Sequence, residues 1–298
     1  MSAPVNNRPV AAAISMLCAM SLIGLIDNFV AVISQNVSLW QFHVMRSFFM
    51  APLLILMVFF GFGRLRPLRW LPVIARSVVI TISMMLYFGS LGFMPISQVL
   101  AGMFTSPVFV LLINAIVLRQ GIGPWRILAV GMGFAGILLV LQPGSEGFGF
   151  FMLMPVAAGF FYAIAAIATR SWCAGESAIS LLAANMLMLG LTGLIVSSLI
   201  GVAIPEGQAF MTRGWTWDIG TVLPWVVVQA VGSLVGVFLI IRAYQMDDPT
   251  NVAVFEYSVM VFGPLFAWIL FGQALGFWQG IGIGCIAAAG VTIALRSR

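Results

Sequence analysis

Charge is what this sequence has least of: 7% of its 298 residues are Asp, Glu, Lys or Arg, and lysine is missing altogether. Average water-soluble domains keep about 25% charged residues, so a soluble globular domain is excluded. The acids are few and scattered. The one acidic pair, Asp247 and Asp248 in DDPTN, lacks the further carboxylates that a prenyl or phosphoalcohol transferase needs to hold a divalent metal at a phosphate. No nucleophile, base and orienting acid converge either, which leaves a membrane-embedded transferase as a remote alternative. The single histidine, His43, cannot build a metal site with other histidines. Cys18, Cys173 and Cys285 lie far apart without a CxxC pairing and read as small packing residues. Neither a metal nor a cofactor is expected.

What is present is apolar: 62% of the residues are hydrophobic and the mean hydropathy is +1.13. A membrane-crossing helix needs roughly 20 predominantly apolar residues. Runs of that kind recur at 10–33, 40–61, 71–92, 95–117, 124–141, 149–169, 178–201, 220–242, 249–271 and 278–295. The expected fold is therefore an all-α membrane protein of ten transmembrane helices. The first run contains Asp27, follows a segment with only Arg8, and leads straight into further apolar sequence, so it reads as a crossing and not as a cleaved signal peptide. No linker is long enough for a soluble domain. The longest, 201–220, holds Trp215 and Trp217, indoles suited to a membrane–water interface. An isoelectric point near 9.7 would suggest nucleic acid for a soluble protein. Here the arginines belong to membrane loops, and the expected partners are the bilayer and a small-molecule substrate, with a monomer as the expected state.

Sliding the chain by 153 positions lays Gly123 on Gly276 and Trp125 on Trp278, yet Arg126 falls on Gln279 and Arg119 on Gly272. Placing the N-terminus in the cytoplasm puts Arg8, Arg64, Arg66, Arg69, Arg76, Arg119, Arg126, Arg170, Arg242, Arg296 and Arg298 inside, and only Arg213 outside, with Arg46 inside a crossing. Basic residues near helix ends resist translocation, so both termini are expected on the cytoplasmic side. Five crossings is an odd number. A duplicated five-helix unit must then enter from the opposite side, and its loops lose the arginines that the first copy needs. The expected units are 1–142 and 143–298, each one repeat. Inverted repeats are a feature of secondary transporters, whose halves expose a midplane site to either side in turn. Gly280, Gly284 and Ala288, with Gly131 and Ala135, form small-residue stripes that permit close helix contact, by static packing, at a dimer face or at a moving one.

The segments TSPVFVLLINAIVLRQ (105–120), AVFEYSVMVFGPLFAWILFGQ (253–273) and FHVMRSFFMAPLL (42–54) resemble the drug/metabolite transporter superfamily in its EamA-type ten-helix branch. The resemblance runs along nearly the whole chain and implies a central cavity, lined by the first, third, fourth, sixth, eighth and ninth crossings, and export of small metabolites. General likeness points to the aromatic amino-acid exporters within it. Where the family pattern often has Gly-Glu at the ends of the fourth and ninth crossings, this chain has Gln120 and Gln273, which removes those acids from any ion-coupling scheme. Arg46 matches an arginine that the family places early in the second crossing, with Asn185 as its counterpart in the second half.

An ionisable side chain at membrane depth costs on the order of 3 kcal/mol, so each needs a partner, water or a purpose. Asp27 and Asn28 read either as a contact to a substrate ammonium or as a lock between helices. His43, one turn before Arg46, reads as a proton or substrate contact or as a structural residue. Arg46 either snorkels outward or pairs with an acid. Glu256, flanked by Phe255 and Tyr257, is expected to face the bundle interior, there to receive a cation, pair with Arg242, or carry a proton. Asp247 and Asp248 precede Pro249 and read as a helix cap. Ser15, Tyr87, Phe104, Phe161, Tyr162 and Trp268 offer an amphipathic lining for a flat solute. Pro107, Pro155 and Pro264 would kink their helices or expose backbone groups. The expected function is export of amino acids, aromatic ones favoured, from a bacterial cell through its inner membrane; the alternative in the same class is efflux of cationic drugs through Asp27 or Glu256.

Overall fold

The computed structural model describes residues 8–94, 96–103, 105–117, 119, 123–141, 150–203, 207–272 and 276–296, and every regular element among them is helical. We number the rods α1 (Pro9–Ser34), α2 (Leu39–Phe59), α3 (Trp70–Ser90), α4 (in two pieces, Ile96–Met103 and Ser106–Ile116), α5 (Pro124–Leu141), α6 (Met154–Ser171), α7 (Ala178–Ala203), α8 (Leu223–Met246), α9 (Pro249–Phe271) and α10 (Phe277–Arg296). Among the described residues, eight are long and apolar enough to cross a membrane, and α5 contains a shorter apolar stretch, Ile127–Leu139. The molecule is a multi-pass membrane protein.

Local chemistry sets the ends. Ser38 caps α2 by accepting the Gln41 amide at 3.2 Å, and Asp248 caps α9 by accepting the Thr250 amide at 2.9 Å. Pro107 and Pro155 occupy the first turns of their helical segments, where proline costs nothing because the missing N–H has no partner there. Of Pro107, Pro155 and Pro264, only Pro264 lies in a helix interior, where Pro52 of α2 lies too. α1 and α9 are interrupted by tighter 3-10 turns, Asp27–Phe29 and Ala253–Ser258, which place Asp27 and Glu256 at breaks in regular helix.

The two halves pack as images of each other. α1 lies on α8 as α6 lies on α3; α1 meets α9 as α6 meets α4; α2 pairs with α7, and α5 with α10. Each statement is unchanged when a helix is exchanged for the one five places on. Because the halves differ by an odd number of crossings, the exchanged helices run in opposite senses: these are two inverted five-helix repeats. The duplication also reaches the backbone. Arg119 and Gly272, 153 positions apart, both hold the left-handed conformation, with φ of 50° and 65°.

The image-related crossings α1–α9 and α6–α4 are both built on glycine. A methyl group on Gly24 would sit 2.9 Å from the Gly263 nitrogen, and one on Gly159 would sit 2.5 Å from the Met103 carbonyl oxygen. Backbone thus approaches backbone without a side chain between. The stripe expected from Gly131, Gly280 and Gly284 behaves differently. These glycines are exposed, with nothing within 4 Å of an added methyl group, so the α5–α10 contact does not run through them.

Loops close both ends. At the arginine-rich end, Glu176 in the α6–α7 loop accepts the Leu68 and Arg69 amides at 2.9 and 2.7 Å, immediately ahead of α3, while Arg69 donates to the Trp172 carbonyl at 2.7 Å. The Glu176 carboxylate thus serves backbone donors that α3 cannot satisfy itself. Glu176→Ala strands two such donors on a buried carboxylate site; it should cost about 1–3 kcal/mol and lower the melting temperature of the purified protein without altering its helix content. At the other end the segment 207–222 folds over the α1–α2 turn. Leu39 donates to the Phe210 carbonyl (2.8 Å), Trp40 Nε1 to Met211 (2.7 Å), and the Gln41 amide exchanges hydrogen bonds with the Thr216 backbone. Trp215 and Trp217 of this cover reach the surface.

Candidate functional site

Between the halves lies a cavity of about 80 Å³, with wall residues from α1, α2, α3, α4, α6, α7 and α8. That volume admits on the order of five waters. It runs from Asp27 and Tyr87, toward the covered end, to Arg76 and Thr169, toward the arginine-rich end, where a second hollow of about 240 Å³ adjoins at Thr169 beneath the α6–α7 loop. Methionines and aromatic rings, among them Met20, Met84, Met103 and Phe88, supply most of the apolar wall.

Asp27 is 2% exposed and fully engaged: Tyr87 donates its hydroxyl to Oδ2 at 2.6 Å and Gln229 its amide to Oδ1 at 3.0 Å. Three helices, α1, α3 and α8, meet in this node. Asn28 turns away from the cavity. Its Nδ2 donates to the Gly24 carbonyl at 2.7 Å and to the Gly263 carbonyl at 3.2 Å, which makes it a tie across the α1–α9 crossing.

Arg46 projects into the cavity in the opposite electrical condition. It is buried, its Nε and Nη1 have no hydrogen-bond partner, and it neither snorkels out nor closes an ion pair. Its guanidinium carbon lies 5.9 Å from the Phe42 ring centroid and 5.2 Å from that of Phe88. Such contacts are worth about 0.5–2 kcal/mol and leave the donors unsatisfied. Asn185, like Arg46 the eighth residue of its helix, lines the same cavity with an amide oxygen that has no partner. An orphaned cationic donor and an orphaned acceptor therefore face one volume from the paired helices α2 and α7. His43 sits behind, edge-on to Phe88 at 5.1 Å, with neither ring nitrogen bonded.

Glu256 does not line the cavity; it stands behind two tyrosines that do. Tyr244 donates to Oε1 at 2.7 Å and Ser106 to Oε2 at 3.2 Å, and the Tyr162 hydroxyl reaches the same carboxylate. The expected pairing with Arg242 is not made, because Arg242 is exposed while the carboxylate is buried among hydroxyls. Tyr257 is pressed against Gly133 of α5, away from the cavity. Ser15 ties α1 to α8 through the Leu239 carbonyl at 3.0 Å, and Trp268 is 58% exposed on the outside of the bundle. The ninth crossing supplies no wall residue, contrary to expectation, whereas α2 and α7 supply the two unpaired polar groups. Phe104, Gln120 and Gln273 lie outside the described residues.

Sequence reasoning missed Gln229 and Ser233, both buried, and misplaced Arg76 in a cytoplasmic loop; it is the seventh residue of α3 and lines the cavity. A usable signal existed for Gln229, since the 153-residue spacing lays it on Arg76.

Comparison with known proteins fits this architecture. A riboflavin transporter of Rhizobium johnstonii is 26% identical over 74% of this chain and 68% of its own length. An S-adenosylmethionine uptake transporter of Rickettsia bellii is 24% identical over 76% of this chain and 74% of its own. An uncharacterized transporter of Helicobacter pylori is 23% identical over 95% of this chain and 94% of its own. One solved structure superposes with a TM-score of 0.70 at 17% identity, covering 97% of this chain and 98% of that one, and shares the fold. The transferase reading falls away, since family and relatives are transporters, and none of these named relatives carries the aromatic amino-acid branch. Residues 10–142 and 149–295 match the EamA-like transporter family, one match to each half, and the chain belongs to that family.

Proposed function

We propose that this chain exports a small solute with an aromatic body and an acceptor-rich group, by alternating access between its two halves. The observation that supports it is Arg46, a buried guanidinium in the central cavity with two donor nitrogens unpaired. Burying a charge without an acceptor is costly, and a carboxylate or a ring carbonyl of the solute supplies what the protein withholds. Asn185, on the paired helix α7, accepts an N–H, while Phe88 and the methionines take the ring. Aromatic amino acids satisfy these demands. So does a flavin, the cargo named for one relative.

Units 1–142 and 143–298 act as the two moving bodies, in a bacterial inner membrane with both termini cytoplasmic. The cover over the far end and the hollow at the arginine-rich end favour loading from the cytoplasm. Efflux of cationic drugs is the weaker reading, because both Asp27 oxygens already accept hydrogen bonds and Glu256 is screened by Tyr162 and Tyr244.

The test is flux into liposomes holding the purified protein, with labelled tryptophan, riboflavin and S-adenosylmethionine compared, each with and without a pH gradient. Saturable movement of tryptophan or riboflavin is expected, each inhibiting the other. A protein that moves only S-adenosylmethionine, or none of the three, would sink the proposal.

A further inference from the structure

The repeat matches Arg76 with Gln229: each is the seventh residue of its helix, α3 and α8, and they stand 153 positions apart. Each reaches across to the first helix of the opposite half. Gln229 on α8 donates to the Asp27 carboxylate on α1 at 3.0 Å, and Arg76 on α3 donates from Nε to the Thr169 hydroxyl on α6 at 2.7 Å. The charges are crossed. The neutral amide has been given a carboxylate, and the guanidinium only a hydroxyl, which is itself committed to the Ala165 carbonyl at 2.7 Å.

Arg76 is 4% exposed, and its Nη1 has no partner. Its electrostatic neighbours are the Cys173 thiol and the Tyr162 hydroxyl, groups that are uncharged at neutral pH. No carboxylate contacts it among the described residues. A buried guanidinium in this condition lacks a counter-charge, and its Nη1 lacks an acceptor, which is costly to a folded protein. Arg76 lines the central cavity, and Thr169, its hydrogen-bond partner, lines both that cavity and the hollow beneath the α6–α7 loop, so the pair stands on the side of the cavity that the hollow adjoins.

We propose that Arg76 is an anion subsite at the inner mouth of the cavity, which takes a carboxylate group of the solute before Arg46 receives it. A guanidinium binds a carboxylate through charge-assisted hydrogen bonds, and Thr169 holds this one from the far side at Nε, leaving Nη1 for the ligand. The solute then carries its carboxylate past two stations, both on the wall of one cavity. This rests on reading that cavity as the transport path and narrows the acceptor-rich group to a carboxylate.

The test is calorimetric titration of the purified full-length protein with benzoate, in the parent, Arg76→Gln and Arg46→Gln. The parent is expected to bind two equivalents. Arg76→Gln should keep the equivalent that Arg46→Gln loses, and the reverse. Equal stoichiometry and affinity in the parent and Arg76→Gln would overturn the assignment. Thr169→Val keeps the charge and removes only its positioning partner; it should weaken one equivalent about tenfold, the loss expected for one hydrogen bond to a charged group. An unchanged titration there would count equally against the site. Binding is read in detergent without flux, so a failure of the liposome experiment and a failure of this one are separable.

Discussion

Replacing Gly159 by valine is expected to lower the melting temperature steeply. The methyl position nearest the backbone already falls 2.5 Å from the Met103 carbonyl oxygen and 2.9 Å from the Thr105 hydroxyl, and the facing Gly102 is equally tight against Pro155. The nearer obstacle is a backbone carbonyl and cannot swing aside as a side chain could, so α4 and α6 must separate as rods. Overpacking costs about 1–3 kcal/mol where neighbours can shift, and here it should reach or pass the upper figure. Gly131→Ala is the matched control. Nothing lies within 4 Å of its added methyl group, and alanine is the better helix former by up to about 1 kcal/mol. Thermal unfolding in detergent reads both. A Gly159→Val protein that melts with the parent would show that the α4–α6 crossing is looser than described.

Arg46→Gln should lose transport while leaving stability nearly unchanged. Hydrogen bonds to a charged group contribute about 1.5–3 kcal/mol, which is about ten- to hundredfold in solute affinity, and flux at low solute concentration should fall accordingly. The same change removes a cation whose donors are unpaired but also takes a positive charge away from the buried Asp27 carboxylate, and these effects on stability oppose each other, so the melting temperature should move little. Lost flux at a nearly constant melting temperature is the signature of a group kept for its ligand. If both fell together, Arg46 would be a structural residue of the Phe42–Phe88 cluster, and the proposed function would lose its carrier.

How far the sequence reaches can be judged from these residues. The ten rods were legible, with ends within a few residues, because the bilayer demands long apolar runs and tolerates little between them. Inversion was legible because Arg119 and Arg126 have no arginine in their matched positions. The interior was harder, since hydropathy treats a hydrogen-bonded amide and an orphaned one alike. Asn28 and Asp27 are neighbours in the chain, yet a 3-10 turn sends one to the α1–α9 seam and the other to the cavity. Arg76 was counted with Arg69 because both lie near one helix start; seven residues of depth separate a loop cation from a cavity wall, and no local pattern marks that step. Trp268 was read as lining and faces out, since aromatic side chains serve lipid contact as readily as a ligand.

The left-handed corner after α4 carries a cost that its duplicate after α9 avoids. An L-residue held there sits roughly 1–2 kcal/mol above its ordinary conformations, a penalty that glycine escapes. Gly272 occupies the matched place with nearly the same φ. One half therefore turns this corner on a strained, exposed cation and the other on a relaxed glycine, with the same bend in both.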